Sequence, residues 1–258
     1  MAEPIIEVRG LRTCLGGSCV HEGLDLDVAR GEVLGIVGGS GSGKTTLLRV
    51  LILLVSPTAG EVRLLGRDVA AISAAEADGL RRRIGVMFQH GALFTSLTVL
   101  ENVAVPIREH ARLPPDLVDD IARMKIALAG LPASAAGKRP AELSGGMVKR
   151  AAVARALALD PEVLFLDEPT AGLDPEGASA FDELVLELKR SLGLTVVMVT
   201  HDLDTLWRVA DRVAFLGEKR VLHLDTMAGL CRFEHPLVQA FFAGPRGRAA
   251  RECAWKGG

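Results

Sequence analysis

The sequence contains no tyrosine, and aromatic residues of all kinds make up only 4% of its 258 residues. Its four cysteines, Cys14, Cys19, Cys231 and Cys253, form no CxxC pair and no run with the spacing of metal ligands. We therefore expect free thiols in a reducing cytosol, with a disulfide or a metal site as the alternative.

No segment has the pattern of a membrane span or a secretory signal. The most apolar stretch, residues 47–55, contains Arg49 and stops at Pro57, whereas a membrane span requires about 20 apolar residues. The N-terminus carries Glu3 and lacks the apolar core of a signal peptide. The 30 basic and 32 acidic residues nearly balance, so bulk charge predicts no steering toward nucleic acid. Any function at a membrane must therefore act through a partner.

Apolar runs of strand length alternate with longer amphipathic runs, which is the pattern of an α/β fold. The predicted strands are Ile5–Val8, Leu24–Val28, Val33–Val37, Glu61–Leu64, Ile84–Phe88, Val163–Leu166, Thr195–Val199, Arg212–Leu216 and Arg220–Leu224. The predicted helices begin near Lys44, Val99, Asp116, Gly145, Glu176 and Leu203. Between about residues 91 and 159 the pattern is helical, which predicts a helical subdomain inserted into a strand-rich body. A further apolar-faced helix is expected at 235–244.

The stretch GGSGSGKTT fits the pattern GxxxxGK[ST] and lies between a predicted strand and a predicted helix. Glycines allow successive main-chain N–H groups to curl around an anion, and the helix N-terminus adds its dipole. Lys44 would reach the β and γ phosphates, Thr45 would bind Mg²⁺, and Thr46 would lie near the α phosphate. The candidate ATP-binding residues are Gly38, Gly39, Ser40, Gly41, Ser42, Gly43, Lys44, Thr45 and Thr46.

A second apolar strand, VLFLDEP, ends in two carboxylates. The carboxyl ends of strands in open α/β sheets face the crevice where ligands bind. Asp167 would hold Mg²⁺, and Glu168 could polarise the attacking water as general base.

A second glycine-rich helix start, LSGGM, is followed by VKRAAVARALALDPEVLFLDEPTAGLDP. With the preceding motifs in this order, residues 5–224 resemble ATP-binding cassette (ABC) ATPases. The resemblance implies a P-loop NTPase (RecA-like) mixed-sheet core, an N-terminal antiparallel β subdomain and the inserted helical subdomain, all in one domain over 1–242. It also implies a head-to-tail homodimer that sandwiches two ATP molecules with Mg²⁺. The signature residues, facing the other subunit's ATP, would be Leu143, Ser144, Gly145, Gly146 and Met147.

The same resemblance assigns roles to three further segments. Gln89, after the IGVMFQ strand, matches the Q-loop glutamine that senses Mg²⁺ and the attacking water. His201, after VVMVT, matches the switch histidine that contacts the γ phosphate. The D-loop residues would be Ala171, Gly172, Leu173 and Asp174.

Two departures from the family pattern concern the base and the signature. Cassette ATPases usually stack adenine on an aromatic residue shortly after the first strand, where this sequence has TCLGG. Leu15 with Val20 would offer apolar contact only. The signature ends in Met147 where glutamine is commonest, so any polar contact of that amide is lost.

LSGGM, together with GALFTSLTVLENVAVPIREH, resembles the ATPase subunits of the Mla type, which serve Mce-containing phospholipid transporters of the Gram-negative envelope. The implied partners are an integral-membrane permease, an Mce-domain lipid-binding protein and a small accessory protein, at the cytoplasmic face of the inner membrane. Phe94, Leu97 and Val99 lie where cassettes receive the permease, although packing within the helical subdomain explains each equally well.

Three alternatives remain at this point. The chain could power a transporter for another substrate, act as a cassette on DNA or ribosomes, or bind nucleotide without hydrolysis. The DNA and ribosome classes normally carry a long coiled coil or two cassettes, and Glu168 and His201 argue against a non-hydrolysing regulator. The basic tail at 243–258 predicts a flexible end and no nucleic-acid role.

Overall fold

The computed structural model describes residues 4–243. Its strands are β1 (Pro4–Leu15), β2 (Ser18–Ala29), β3 (Val33–Gly38), β4 (Ala59–Leu64), β5 (Arg67–Asp68), β6 (Ile84–Met87), β7 (Val163–Asp167), β8 (Thr195–Val199), β9 (Arg212–Gly217) and β10 (Arg220–Asp225). Its α-helices are α1 (Lys44–Leu51), α2 (Ala74–Arg81), α3 (Val99–His110), α4 (Pro115–Leu128), α5 (Gly145–Ala156), α6 (Pro175–Leu192), α7 (Leu203–Val209), α8 (Met227–Arg232) and α9 (Pro236–Ala243). None of these helices is both long enough and apolar enough to cross a membrane.

The chain divides into two compact units, residues 1–80 with 195–258 and residues 81–194. In the first unit β1 pairs antiparallel with β2 and with β4. The short strand β5 pairs antiparallel with β4 and completes this sheet. The strands β10, β9, β3 and β8 lie side by side in that order in a second sheet. Because β3 is parallel to both β8 and β9 and is buried along its whole length, it reads as a continuous apolar run.

The hairpin of β1 and β2 corrects the prediction of free thiols. Both strands extend much further than predicted and close on Gly16-Gly17, each with positive φ. Such a two-residue turn sets Leu15 opposite Ser18 and Cys14 opposite Cys19. Cys14 and Cys19 consequently form a disulfide across the hairpin. Cys231 retains its thiol, and Cys253 lies outside the described residues.

An ionic cluster fixes the start of β3 in the first unit. Arg212 on β9 donates to both carboxylate oxygens of Glu32, at 2.9 and 2.8 Å, and to the Asp27 carboxylate at 3.1 Å. The hydrogen bonds to Glu32, followed by the charges of both carboxylates, raise the pKa of Arg212. The main-chain N–H of Val33 donates to Asp211 at 2.6 Å. Strand β3 is therefore held at the end opposite the glycine-rich loop.

The second unit contains the parallel pair β6 and β7 and the helices α3 to α6. A capping box starts α3, because the Thr98 hydroxyl accepts from the Glu101 N–H and the Glu101 carboxylate accepts from the Thr98 N–H. Helices α3, α4 and α5 pack against one another. As predicted, residues 91–159 contain helices and turns and no strand.

The element boundaries differ from prediction in a few places. Helices α4 and α6 begin one residue earlier than predicted, at Pro115 and Pro175, because proline fits the first helical position well. The short elements α2, α8 and β5 were not predicted. The apolar helix expected at 235–244 is present as α9, whereas residues 244–258 of the predicted tail lie outside the described residues.

Candidate functional site

The glycine-rich loop of the first unit joins β3 to α1. Gly38 ends β3 at φ 149°, and a Cβ there would lie 2.3 Å from the Leu216 carbonyl oxygen. The Lys44 ammonium donates to the carbonyl oxygens of Gly38 and Gly39, both at 2.9 Å, and its Nζ lies 3.5 Å from the Ser42 hydroxyl. The loop thus closes around the ammonium of Lys44.

Gly43 caps the N-terminus of α1 with φ 99°, a conformation that favours glycine. The buried His21 on β2 packs behind it, with Nε2 at 3.2 Å from the Gly43 carbonyl oxygen. Because a carbonyl can only accept, Nε2 carries the proton. Burial lowers the pKa of His21, partly opposed by this hydrogen bond. The buried Nδ1 of His21 has no hydrogen-bond partner among residues 4–243.

Of the two residues predicted to contact adenine, the structure places Val20 at the loop. A Cβ on Gly43 would lie 2.8 Å from Cγ1 of Val20. Leu15 ends β1 at the tip of the hairpin, where it is 43% exposed. The hairpin therefore has one of these aliphatic side chains beside the loop and the other at its exposed tip.

His201 lies in the short connection between β8, which ends at Val199, and α7, which begins at Leu203. Its side chain is exposed. The next residue, Asp202, caps α7 by accepting from the N–H groups of Asp204 and Thr205. His201 is consequently held between the end of a strand and a capped helix start.

In the second unit, β7 delivers Asp167 as its last residue and Glu168 directly after it. Both are half-buried. Glu168 has φ 48°, in the left-handed region that costs a non-glycine residue about 1–2 kcal/mol. The Glu168 carbonyl accepts from the N–H of Ala171 at 3.3 Å. The main chain therefore turns sharply at the predicted base.

The predicted signature forms the N-terminus of α5. Ser144 is the N-cap and accepts from the Met147 N–H at 3.3 Å. The fold does not force glycine at 145 or 146, since a Cβ at either would find only Leu173 Cδ2, at 4.0 and 3.9 Å. Both positions therefore leave room for a ligand at this helix start. The predicted D-loop residue Leu173 therefore lies beside the signature.

The D-loop turns at Gly172, which has φ 80°, and ends in Asp174. Asp174 is the N-cap of α6 and accepts from the Gly177 N–H at 2.7 Å. Ala171 and Leu173 are half-buried, and Gly172 and Asp174 are exposed. All four residues thus lie in one turn between β7 and α6.

Gln89 lies in the turn that follows β6, and its side chain is exposed. The structure shows an anchor here that the sequence did not predict. The buried Lys149 on α5 donates to the main-chain carbonyls of both Gln89 and Glu168. Burial lowers the pKa of Lys149, partly opposed by the charges of Glu168 and Asp167.

A family model described as ABC transporter matches residues 21–171 of the chain, which include the glycine-rich loop, Gln89, the signature and the strand end at Asp167. This chain belongs to the ABC transporter family. The predicted fold class and the predicted ATP-binding, ATP-hydrolysing activity of an ABC ATPase are confirmed.

Among the proteins similar to this chain are two named transport ATP-binding proteins and one solved structure. The intermembrane phospholipid transport system ATP-binding protein MlaF of Haemophilus influenzae is 38% identical over 244 residues, covering 95% of this chain and 92% of that protein. The methionine import ATP-binding protein MetN of Caulobacter vibrioides is 45% identical over 221 residues, covering 86% of this chain and 65% of that protein. The cassette MJ0796, solved as a dimer in a post-hydrolysis state with ADP and Pi, has a TM-score of 0.78 and 30% identity, covering 86% of this chain and 98% of that one.

Proposed function

We propose that this ABC ATPase is the energy-coupling subunit of a phospholipid transporter of the Mla/Mce type. The observation that carries the proposal is the 38% identity to a protein named for intermembrane phospholipid transport, over 92% of that protein's length. We place the chain at the cytoplasmic face of the inner membrane, bound to an integral-membrane permease, and regard residues 1–242 as one ATPase domain.

ATP would bind through the main chain of the loop and through Lys44. The loop N–H groups and the N-terminus of α1 offer donors to the phosphates. Lys44, whose ammonium already lies over the Gly38 and Gly39 carbonyls, can extend to the β and γ phosphates. Apolar contact from Val20 and Leu15 would hold the base without a stacked ring.

We assign the Mg²⁺ ligands to Thr45 in the first unit and to Gln89 and Asp167 in the second. Their hydroxyl, amide and carboxylate oxygens are hard donors of the type that Mg²⁺ prefers. When bound, Mg²⁺ neutralises charge on the phosphates during phosphoryl transfer.

Hydrolysis requires a base that activates water and a contact to the γ phosphate, which is transferred to that water while ADP leaves. Glu168 would polarise the attacking water, Gln89 would orient it, and His201 would contact the γ phosphate. Ser144 and Gly146 would bind the γ phosphate held by a second subunit, in a head-to-tail homodimer. The room at Gly145 and Gly146 and the dimeric state of the similar cassette MJ0796 support this arrangement.

The permease would bind near residues 94–98. Phe94 is 51% exposed, and Leu97 is half-buried. Val99 is fully buried in α3, so its packing role is sufficient to explain it. An Mce-domain protein and a small accessory protein complete the proposed assembly, and no nucleic acid takes part.

A second candidate is a transporter for another substrate. The 45% identity to a protein named for methionine import favours it, because that identity exceeds the one to MlaF. A cassette that acts on DNA or ribosomes is the least favoured candidate.

Mass spectrometry of co-purified proteins and lipids separates the candidates. The tagged full chain with Glu168→Gln is expressed in its native host and isolated in mild detergent with ATP. We expect a permease, an Mce-domain protein and phospholipid, each enriched over a matched preparation of Lys44→Ala. A permease with another cargo would refute the lipid assignment, and ribosomes or DNA-repair proteins without any permease would refute the transport function.

A further inference from the structure

Helix α5 anchors the two candidate catalytic segments of the second unit through a single buried ammonium. Lys149 is 7% exposed, and its Nζ donates to the carbonyl oxygen of Gln89 and, at 3.1 Å, to that of Glu168. These are the residues to which we assign orientation and activation of the attacking water. Sixty residues separate Gln89 from Lys149 along the chain, so the contact is tertiary.

The cost of burying Lys149 indicates that this contact is more than incidental. Its side chain is buried, so the ammonium is held at the expense of its solvation. Both of its hydrogen bonds go to main-chain oxygens, and neither goes to a carboxylate. An apolar side chain would fill the same space without that cost. The ammonium therefore contributes to the conformation of the two carbonyl-bearing segments.

Those segments have backbone conformations that need support. Glu168 has φ 48°, and the Q-loop contains Gly91 at φ 74° and Ala92 at φ 49°. A second basic residue of α5, Arg155, donates to the carbonyls of Gly91 and Ala92 at 2.9 and 2.7 Å. In each of these two segments the left-handed non-glycine residue, Ala92 or Glu168, thus has its carbonyl bound by a basic side chain of α5.

Helix α5 begins at the signature, and Lys149 lies about one and a half turns from its N-cap Ser144. The same helix therefore carries the proposed contact to the second subunit's ATP and the anchor of Gln89 and Glu168. We propose that Lys149 is a positioning residue for hydrolysis, which fixes the main chain at Gln89 and Glu168 so that both side chains are presented from one rigid point. This inference rests on the roles proposed above for those two residues.

The test compares Lys149→Met with Arg150→Met in the full chain purified with its membrane subunits. Arg150 is a matched control, because it is the next residue of α5, is basic and also donates to two carbonyls, those of Ala129 and Ala180. Neither of those carbonyls belongs to a proposed catalytic segment. Steady-state kcat and KM for MgATP, equilibrium ATP affinity and the thermal unfolding midpoint are measured for both variants and for Lys149→Arg.

We expect Lys149→Met to lower kcat at least about tenfold while KM and ATP affinity stay within about threefold, since misplaced catalytic groups slow the chemistry more than binding. Lys149→Arg, which keeps charge and donors, should recover most of the lost kcat. Arg150→Met should lower the unfolding midpoint and leave kcat per folded molecule near the wild-type value. Lys149→Gln replaces Lys149→Met if the latter does not fold, and should lower kcat severalfold because the shorter amide cannot reach both carbonyls.

A wild-type kcat in Lys149→Met, or in Lys149→Gln if Lys149→Met does not fold, would overturn the positioning role of Lys149. An equal loss of kcat per folded molecule in Arg150→Met would overturn it as well, by showing a general effect of α5. Glu168→Gln is included as a reference. Wild-type turnover by Glu168→Gln would refute the assignment of Glu168 under the proposed function, independently of the Lys149 variants.

Discussion

Replacing His21 by leucine tests how the glycine-rich loop is held in place. His21 is fully buried and donates from Nε2 to the Gly43 carbonyl oxygen at 3.2 Å. That oxygen also accepts from the Leu47 N–H at 2.8 Å, so it keeps one hydrogen bond in His21→Leu. The variant loses a neutral hydrogen bond worth about 1 kcal/mol, and it removes the buried Nδ1 that has no partner in residues 4–243.

These two effects on the free energy of unfolding have opposite signs and similar size. We therefore expect His21→Leu to change the global stability by less than about 1 kcal/mol at pH 7. The affinity for ATP should fall even so, because Gly43 is less firmly held at φ 99°. If the whole of the lost bond energy contributed to preorganising the loop, the dissociation constant for ATP would rise about fivefold.

The assay is equilibrium binding of a fluorescent ATP analogue, with urea unfolding of the same samples. His223→Leu is the matched control, since His223 lies on β10 of the same unit and stacks on Phe233 at a ring separation of 4.0 Å. The control should bind ATP as the wild type does. Unchanged ATP affinity in His21→Leu would refute the role of His21 at the loop.

The pH dependence of stability gives an independent check on His21. Burial lowers its folded-state pKa below the ordinary value near 6.5, so the unfolded chain binds more protons below that pH. This contribution to stability is present above about pH 6.5 and is lost as the pH falls toward the folded-state pKa. In His21→Leu, the free energy of unfolding should therefore fall less than in the wild type when the pH is lowered below about 6.5.

Three further substitutions probe other parts of the account. Lys44→Ala should weaken ATP binding at least about tenfold with little change in stability, and unchanged affinity would contradict the placement of the phosphate-binding loop. Asn102→Ala should lower the free energy of unfolding in urea by about 2–3 kcal/mol. The reason is that the fully buried Asn102 side chain accepts from the N–H of Phe94 and donates to the carbonyls of Phe94, Leu97 and Thr98. A decrease below about 0.5 kcal/mol would contradict this stabilising role of Asn102. Arg212→Met should cost about 2 kcal/mol by the same measurement because it leaves Glu32 buried without its cation, and equal stability at pH 7 would contradict this.

The sequence predicted those elements whose secondary structure is determined by their own local residue pattern. The loop GGSGSGKTT lies between β3 and α1 as predicted, and VLFLD is a buried strand that ends in Asp167. Strand β3 is buried on both faces, so its unbroken apolar run was sufficient to identify it. The helical character of residues 91–159 followed from periodicity in the same way.

The disulfide was missed because the strands were predicted too short. The alternation of β1 and β2 weakens toward the hairpin tip, where exposed residues such as Leu15 stand beside glycines. Gly16-Gly17 is nevertheless a signal for a two-residue hairpin turn, and counting outward from it pairs residue 14 with residue 19. That register, rather than cysteine spacing, would have indicated the bond.

The anchors behind the site could not be predicted for a different reason. Lys149 lies in a basic, alanine-rich helix whose sequence does not indicate which residues it contacts, and its carbonyl partners are visible only in three dimensions. Likewise, His21 in a strand gives no sign of facing Gly43, which follows it by 22 residues. Main-chain acceptors carry no sequence signature, so such contacts need a structure.

Comparing Glu168→Gln with the wild type tests the central claim most directly. Light scattering and phosphate release are measured on the same purified full-length protein with MgATP. We predict that the variant binds ATP with wild-type affinity, accumulates as an ATP-bound dimer and releases phosphate at least about a hundredfold more slowly, because the base that activates water is lost. A variant that releases phosphate at the wild-type rate, or that binds ATP and remains monomeric, would contradict the proposed two-subunit hydrolysis at Glu168.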